Sequence, residues 1–267
     1  MLIGIKGLVL KVIPKSENDR LVVLFTQERG KITVCAKGGR SAKSKFLPSI
    51  EPFSYSEFVL YEKDDFYWIR ESVLIENFFA IRSDICKLAL ASYFCEVLDL
   101  VVYENMQEPE LLRLGLNALY AIASDLRPLK TVKTVFELRA SLLLGFAPQV
   151  ENCAICRKRA GDRFYFSLMD AETVCQGCRE KELARYYEER GSVNEDEGRR
   201  FATQIIEISE SMRTAISYLT NCPADKIFAF QMAQDELDRL SVLAEEHLIY
   251  RLEKKLKTLS FYHEVSK

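Results

Sequence analysis

The sequence predicts an α+β protein, a small β-barrel followed by a helical bundle, on three observations. Five β-branched and aromatic segments fill the first 80 residues, apolar periodicity turns helical from Ser83, and two Cys-x2-Cys pairs interrupt the helices at 153–178.

The five segments are GLVLKVI, RLVVLFT, KITVCAK, PFSYSEFVLY and FYWIRESVLI, rich in residues that favour strands. Polar turns at 14–19, 27–30, 38–45 and 62–65 separate them, the last holding the acid pair Asp64-Asp65. In KITVCAK, Ile32, Val34 and Ala36 point one way and Lys31, Thr33, Cys35 and Lys37 the other. Five strands in so short a stretch suit a closed barrel, with the five-stranded OB-fold leading and an SH3-like barrel sharing the strand count. The expected domains are the barrel at 1–80 and a helical domain at 81–267, interrupted at 150–180 by a metal-binding module.

Ile85, Leu88, Phe94, Val97 and Val101 share one helical face, with Ser83 as the expected N-cap. Further helices are expected over Glu108–Ala123 and Thr131–Leu144, the latter stopped by Gly145 and Pro148. After the cysteines, Phe201, Ile205, Ile208, Met212, Ala215 and Leu219 form a long apolar stripe. A last helix is expected from Asp235 to Leu259, and the helices on both sides of the cysteines are expected to pack as one bundle.

The net charge of −2 conceals an uneven distribution. Residues 1–50 hold ten Lys/Arg against three acids, while residues 51–80 hold two against seven. No run of about 18 apolar residues occurs, so no membrane span is expected. No leader is recognisable either, which makes the expected location cytoplasmic.

Cys153, Cys156, Cys175 and Cys178 have the spacing of a zinc knuckle, 18 residues parting the two pairs. Zinc takes four thiolates at about 2.3 Å, and a two-residue spacer lets both sulfurs of a pair reach one ion. Arg157, Lys158, Arg159 and Arg179 would offset the charge of such a centre. A redox pair lacks its βαβ setting, and disulfides are rare in the cytosol. One structural zinc ion is the favoured reading, with no coordination position left for a substrate. Cys35, Cys86, Cys95 and Cys222 read as small core residues.

The segment AKGGRSAKSKF sets Lys37, Arg40, Lys43 and Lys45 within nine residues, spaced by Gly and Ser. Spaced cations on a glycine-rich backbone suit the phosphates of a nucleic acid strand, with Lys11 and Lys31 in support; a solvated surface loop is the plain alternative. Phe53, Tyr55, Tyr67 and Trp68 are candidates for base stacking, although aromatic side chains more often fill a barrel core. The loop lacks P-loop spacing, and no catalytic motif accompanies the two histidines. His247 reads as a core-edge residue and His263 as part of a frayed tail, so no enzyme is expected.

These parts, in this order, resemble the RecO family of recombination mediators. The resemblance rests on Gly7-Leu8-Val9-Leu10, on Glu17, Asp19 and Arg20, on AKGGRSAKSKF with Pro52-Phe53, and above all on FELRASLLLGFAPQVENCAIC. It departs at Leu47, where the family often has arginine, and at Ala171-Glu172, where Gly-Gly is frequent, implying one fewer DNA contact and a differently shaped turn. The resemblance implies DNA repair and recombination: binding single-stranded and duplex DNA, annealing complementary strands, and helping load RecA recombinase. It implies RecR and the acidic C-terminal tail of the single-stranded-DNA-binding protein as partners, and nucleoid association. The alternatives are an RNA-binding barrel protein with zinc and a non-catalytic interaction adaptor.

Overall fold

The computed structural model describes residues 1–64, 66–158, 163–190 and 205–266, with backbone alone at 183 and 185–190. Asp65, Arg159 and Phe201 therefore lie outside the described residues. The chain gathers into two compact units, Met1–Leu129 with Leu256–Lys267, and Lys130–Lys255. The helices expected as one bundle are thus divided between them.

In the first unit, β1 (Leu2–Pro14), β2 (Arg20–Thr26), β3 (Gly30–Ala36), β4 (Tyr55–Lys63) and β5 (Phe66–Glu76) close a barrel in the order β1-β2-β3-β5-β4. The long β1 pairs antiparallel with both β2 and β4, and a bulge between Val9 and Lys11 bends it between them. The barrel is completed by parallel pairing of β3 with β5, Val34 opposite Tyr67 and Cys35 opposite Trp68. This closure is that of an OB-fold, so the SH3-like alternative falls away. Val9, Val22, Leu24, Val34, Phe58 and Leu60 fill the interior, and α1 (Leu47–Ile50) plugs one end with Phe46 and Ile50.

A 3-10 turn at Phe79–Ser83 leads into α2 (Ile85–Val101). The cap is Asp84 rather than Ser83: its carboxylate accepts from the backbone N–H of Cys86 at 2.8 Å and Lys87 at 2.9 Å, while the Ser83 hydroxyl is spent on Ala80 O. Ile85, expected inside, is exposed, while Leu90, Phe94, Val97 and Leu98 are buried. α3 (Pro109–Ala123) crosses α2 closely at Gly115, where a Cβ would stand 2.8 Å from Leu98 Cδ1. The chain returns to this unit through its last helix, α8 (Lys257–Val265).

The second unit contains α4 (Leu129–Leu143), most of whose residues are buried, and a sheet ordered β6-β8-β7-β9. Its strands are β6 (Gln149–Cys153), β7 (Phe164–Ser167), β8 (Glu172–Cys175) and β9 (Ile205–Ile208), with α5 (Gln176–Arg190) following β8. α6 (Glu210–Asn221) and α7 (Gln234–Leu252) complete it. Two expectations are corrected here. Ile205 and Ile208 belong to a strand that pairs with β7, and the helix begins only after Ser209, whose hydroxyl caps Met212 N–H at 3.1 Å. The last expected helix is two helices: Glu253 adopts φ +52° and ends α7, so Leu259 and His263 lie in α8 rather than in α7 and a frayed tail.

Arg139 on α4 donates to Leu219 O and Cys222 O, satisfying carbonyls that the end of α6 leaves without helical partners. Beside it, Lys133 is buried with its ammonium 2.9 Å from Glu137 and 2.7 Å from Glu245. Burial alone would lower the Lys133 pKa; the two carboxylates outweigh it and hold it above the ordinary lysine range.

Candidate nucleic-acid interface and metal centre

The basic loop leaves β3 at Lys37 and folds back on itself through turns, Gly39 N–H to Ala36 O at 3.1 Å and Ser44 N–H to Ser41 O at 2.9 Å. Gly39 lies so close to Ala36 that a side chain there would meet its Cβ and O at 2.9 Å. The β1–β2 turn holds the loop from the other side. Asp19 accepts from Gly38 N–H at 2.9 Å, and Arg40 donates through its backbone to Asn18 O and through its guanidinium to Ser16 O. This gives the polar turn with Asp19 a physical task, fixing the path of the cations.

Lys11, Lys37, Arg40, Lys43 and Lys45 are all exposed, and none is ion-paired among the described residues. Lys45 stands over the Phe46 ring at 5.1 Å. Lys31 is different: Asp99 holds its ammonium at 3.2 Å and partly neutralises it. Lys11, on β1, lines neither of the two clefts described next.

Those clefts flank Trp68. One, of about 430 Å³, brings Lys37 together with Lys63, Arg70 and Tyr61; the other, of about 410 Å³, is walled by Leu21, Phe66 and Tyr103 with Lys15 and Thr33. Of the four aromatic candidates, Phe53 and Tyr67 are buried and Tyr55 and Trp68 are half-buried, Trp68 lining both clefts. Phe66, Tyr61, Lys15, Lys63 and Arg70 were not anticipated. The signal was present in the period of two: Phe66, Trp68 and Arg70 alternate with inward Tyr67 and Ile69, and register sets Tyr61 opposite Trp68 and Lys63 opposite Phe66.

In the second unit, the four cysteine sulfurs lie within 4.8 Å of one another. Tetrahedral bonds of about 2.3 Å require sulfurs about 3.8 Å apart, and Cys156 and Cys175 stand at 3.9 Å. Cys153 is fully buried and accepts from Cys175 N–H at 3.4 Å. Burial pushes its thiol up, but backbone donors at Cys156, Cys175 and Ile155 outweigh that and bring it down to about 6, whereas the neighbouring sulfurs push Cys178 up to about 12, so all four become thiolates together only with a cation among them. The donor set thus fits one soft tetrahedral ion. Ala171, where the family often has glycine, holds φ +58° in the turn between β7 and β8, a conformation that glycine adopts freely. Arg179 stacks on the Tyr165 ring at 3.9 Å instead of reaching toward solvent.

His247 is fully buried, its Nε2 donating to Phe146 O at 2.8 Å and its ring edge-on to Phe166. Burial holds its pKa below the ordinary value. It is a core residue, with no carboxylate in hydrogen-bond contact to make it a base.

An OB barrel rimmed with unpaired cations, joined to helices and a four-thiolate knuckle, defines a class of its own: OB-fold proteins with an accessory cysteine metal module. Comparison with known families is specific. Residues 1–78 match the family described as Recombination protein O N terminal, and residues 82–193 match Recombination protein O C terminal. A DNA repair protein RecO from Acetivibrio thermocellus is 32% identical over 256 residues, spanning 96% of this chain and 94% of its own. One from Clostridium novyi is 34% identical over 65% of this chain and 68% of its own, and one from Clostridium perfringens 26% identical over 97% of both. The chain belongs to the RecO family of DNA repair proteins. No helix among the described residues is long and apolar enough to cross a membrane.

Proposed function

We propose that this chain is a non-catalytic recombination mediator: it binds single-stranded and duplex DNA on its barrel, anneals complementary strands, and helps load a recombinase onto strands coated by the single-stranded-DNA-binding protein. The observation that carries this reading is the pinned loop with Lys37, Arg40, Lys43 and Lys45 exposed and free of carboxylates. Cations in that state displace counterions from a strand, and the release drives binding. Two neutralised strands no longer repel each other, so annealing needs no reacting side chain. Lys11 adds to this field, and Lys31, held by Asp99, contributes least.

Cys153, Cys156, Cys175 and Cys178 hold one zinc ion, which braces the knuckle structurally. Kinship with the RecO family supports RecR and the acidic tail of the single-stranded-DNA-binding protein as partners, and a place on the nucleoid.

The test follows the pairing of complementary fluorescent oligonucleotides coated with single-stranded-DNA-binding protein. The protein is expected to accelerate pairing, and replacing the four loop cations by Gln is expected to abolish most of the gain. The slope of log affinity against log salt on single strands should flatten by up to about 0.7 per lost contact. An unchanged slope would move the DNA surface elsewhere; no acceleration by the intact protein would remove the annealing function.

A further inference from the structure

We propose that the cleft beside Trp68 is a nucleobase pocket, in which one unpaired base stacks on the indole while Lys37, Lys63 and Arg70 in the adjoining cleft hold the neighbouring phosphates. The inference rests on the barrel being a DNA surface and assigns it a subsite that recognises bases.

The two clefts share Trp68 as a wall but differ in chemistry. The cleft with Lys37, Lys63 and Arg70 has three cations against Asp64 alone, which suits a phosphodiester. The other is walled by Leu21, Phe66, Trp68 and Tyr103, and its two lysines are offset, Lys31 by its pairing with Asp99 and Lys15 in net charge by Glu104. That leaves it to the planar, uncharged part of a nucleotide. Its volume of about 410 Å³ falls at the small end of the roughly 300–1,000 Å³ of small-ligand clefts. Thr33 and Lys15 offer hydrogen-bonding groups to the base edge, and Lys15 Nζ already lies 3.6 Å from Cys35 Sγ at the cleft wall.

Barrel packing does not explain these aromatic side chains. Phe66 is 65% exposed, although burying a phenyl ring is favourable and the barrel core is filled without it. It and Tyr61 instead flank Trp68, with ring centroids 6.1 and 6.0 Å away, and the Arg70 guanidinium stands over Tyr61 at 5.1 Å. Rings aligned along a cationic groove are the arrangement on which successive bases of a single strand stack. A paired base presents no free face, so the pocket selects unpaired strands, while bases beyond it remain open for annealing.

Trp68 is the only tryptophan in the chain, so its fluorescence reports on these two clefts, and the abasic strand separates the base from the phosphates. The full-length protein is titrated with a short oligothymidylate and with an abasic strand of equal length. We expect the oligothymidylate to quench Trp68 and to bind about tenfold more tightly, the scale of one base stack. In Trp68→Ala, and in Phe66→Ala as a second variant at an exposed position, that tenfold gap should close toward one; Trp68→Phe should restore most of it. Equal affinity for both strands in the wild type, or a gap unchanged in Trp68→Ala, overturns the pocket while leaving phosphate binding intact. Failure of both strands to bind at low salt removes the DNA surface itself, and the pocket with it.

Discussion

Glu253 holds a left-handed backbone, φ +52°, while exposed at the end of α7. The conformation is costly for any residue with a Cβ and free for glycine. Glu253→Gly is therefore expected to stabilise the protein by about 0.5–1 kcal/mol, read as a raised denaturant midpoint at constant slope. His247 makes the opposite kind of demand. Its folded pKa lies below that of the unfolded chain, so unfolding takes up a proton once the pH falls below about 6.5. Its contribution is complete above that pH and declines as the pH falls toward the folded value. The melting temperature should accordingly drop between pH 7.5 and pH 5.5, whereas His247→Gln, less stable at neutral pH, should show a flatter profile over the same range. Identical slopes would assign the acid sensitivity to other groups.

At the scale of elements, α4 depends on a buried charge. Removing the Lys133 ammonium leaves Glu137 buried without it, so Lys133→Met should cost about 3–5 kcal/mol, and Lys133→Met with Glu137→Leu should recover much of that loss. The same elements show what could be read from sequence. The barrel strands were legible because inward residues alternate, as at Ser56, Phe58 and Leu60, and the knuckle was legible because two-residue spacers have few other uses. The strand at Ile205–Ile208 was not, because residues four and three apart mimic a helical face even in a β-branched run. Asp84 displaced Ser83 as a cap because the preceding 3-10 turn claimed the serine hydroxyl. The basic loop was visible as composition; its anchoring by Asp19 was not, since a contact 19 residues away leaves no local period. The outward aromatic face was available from the alternation around Trp68, but burial is the usual fate of such residues and hid it.

For the molecule as a whole, the four-cysteine site and the single tryptophan lie in different compact units. Chelation of a bound ion should therefore lower the part of the far-ultraviolet circular dichroism transition that belongs to the helices of Lys130–Lys255, and leave the transition seen by Trp68 fluorescence largely in place. Coincident loss of both signals would make the chain one cooperative block. The first unit is also discontinuous in sequence: α2 accepts α8 through Glu96, bonded to Thr258 N–H at 2.9 Å, and the Cys86 thiol donates to Val265 O at 3.2 Å. On a ribosome adding about 5–20 residues per second, roughly 10–35 s separate the last barrel strand from the helix that braces its neighbour. During that interval the nascent chain carries a finished barrel and an α2 that is packed on α3 but open on the face that α8 later covers. A transcript broken within the second unit thus yields a chain whose α2 lacks α8 along one face, a mark by which proteases would tell it from the complete product.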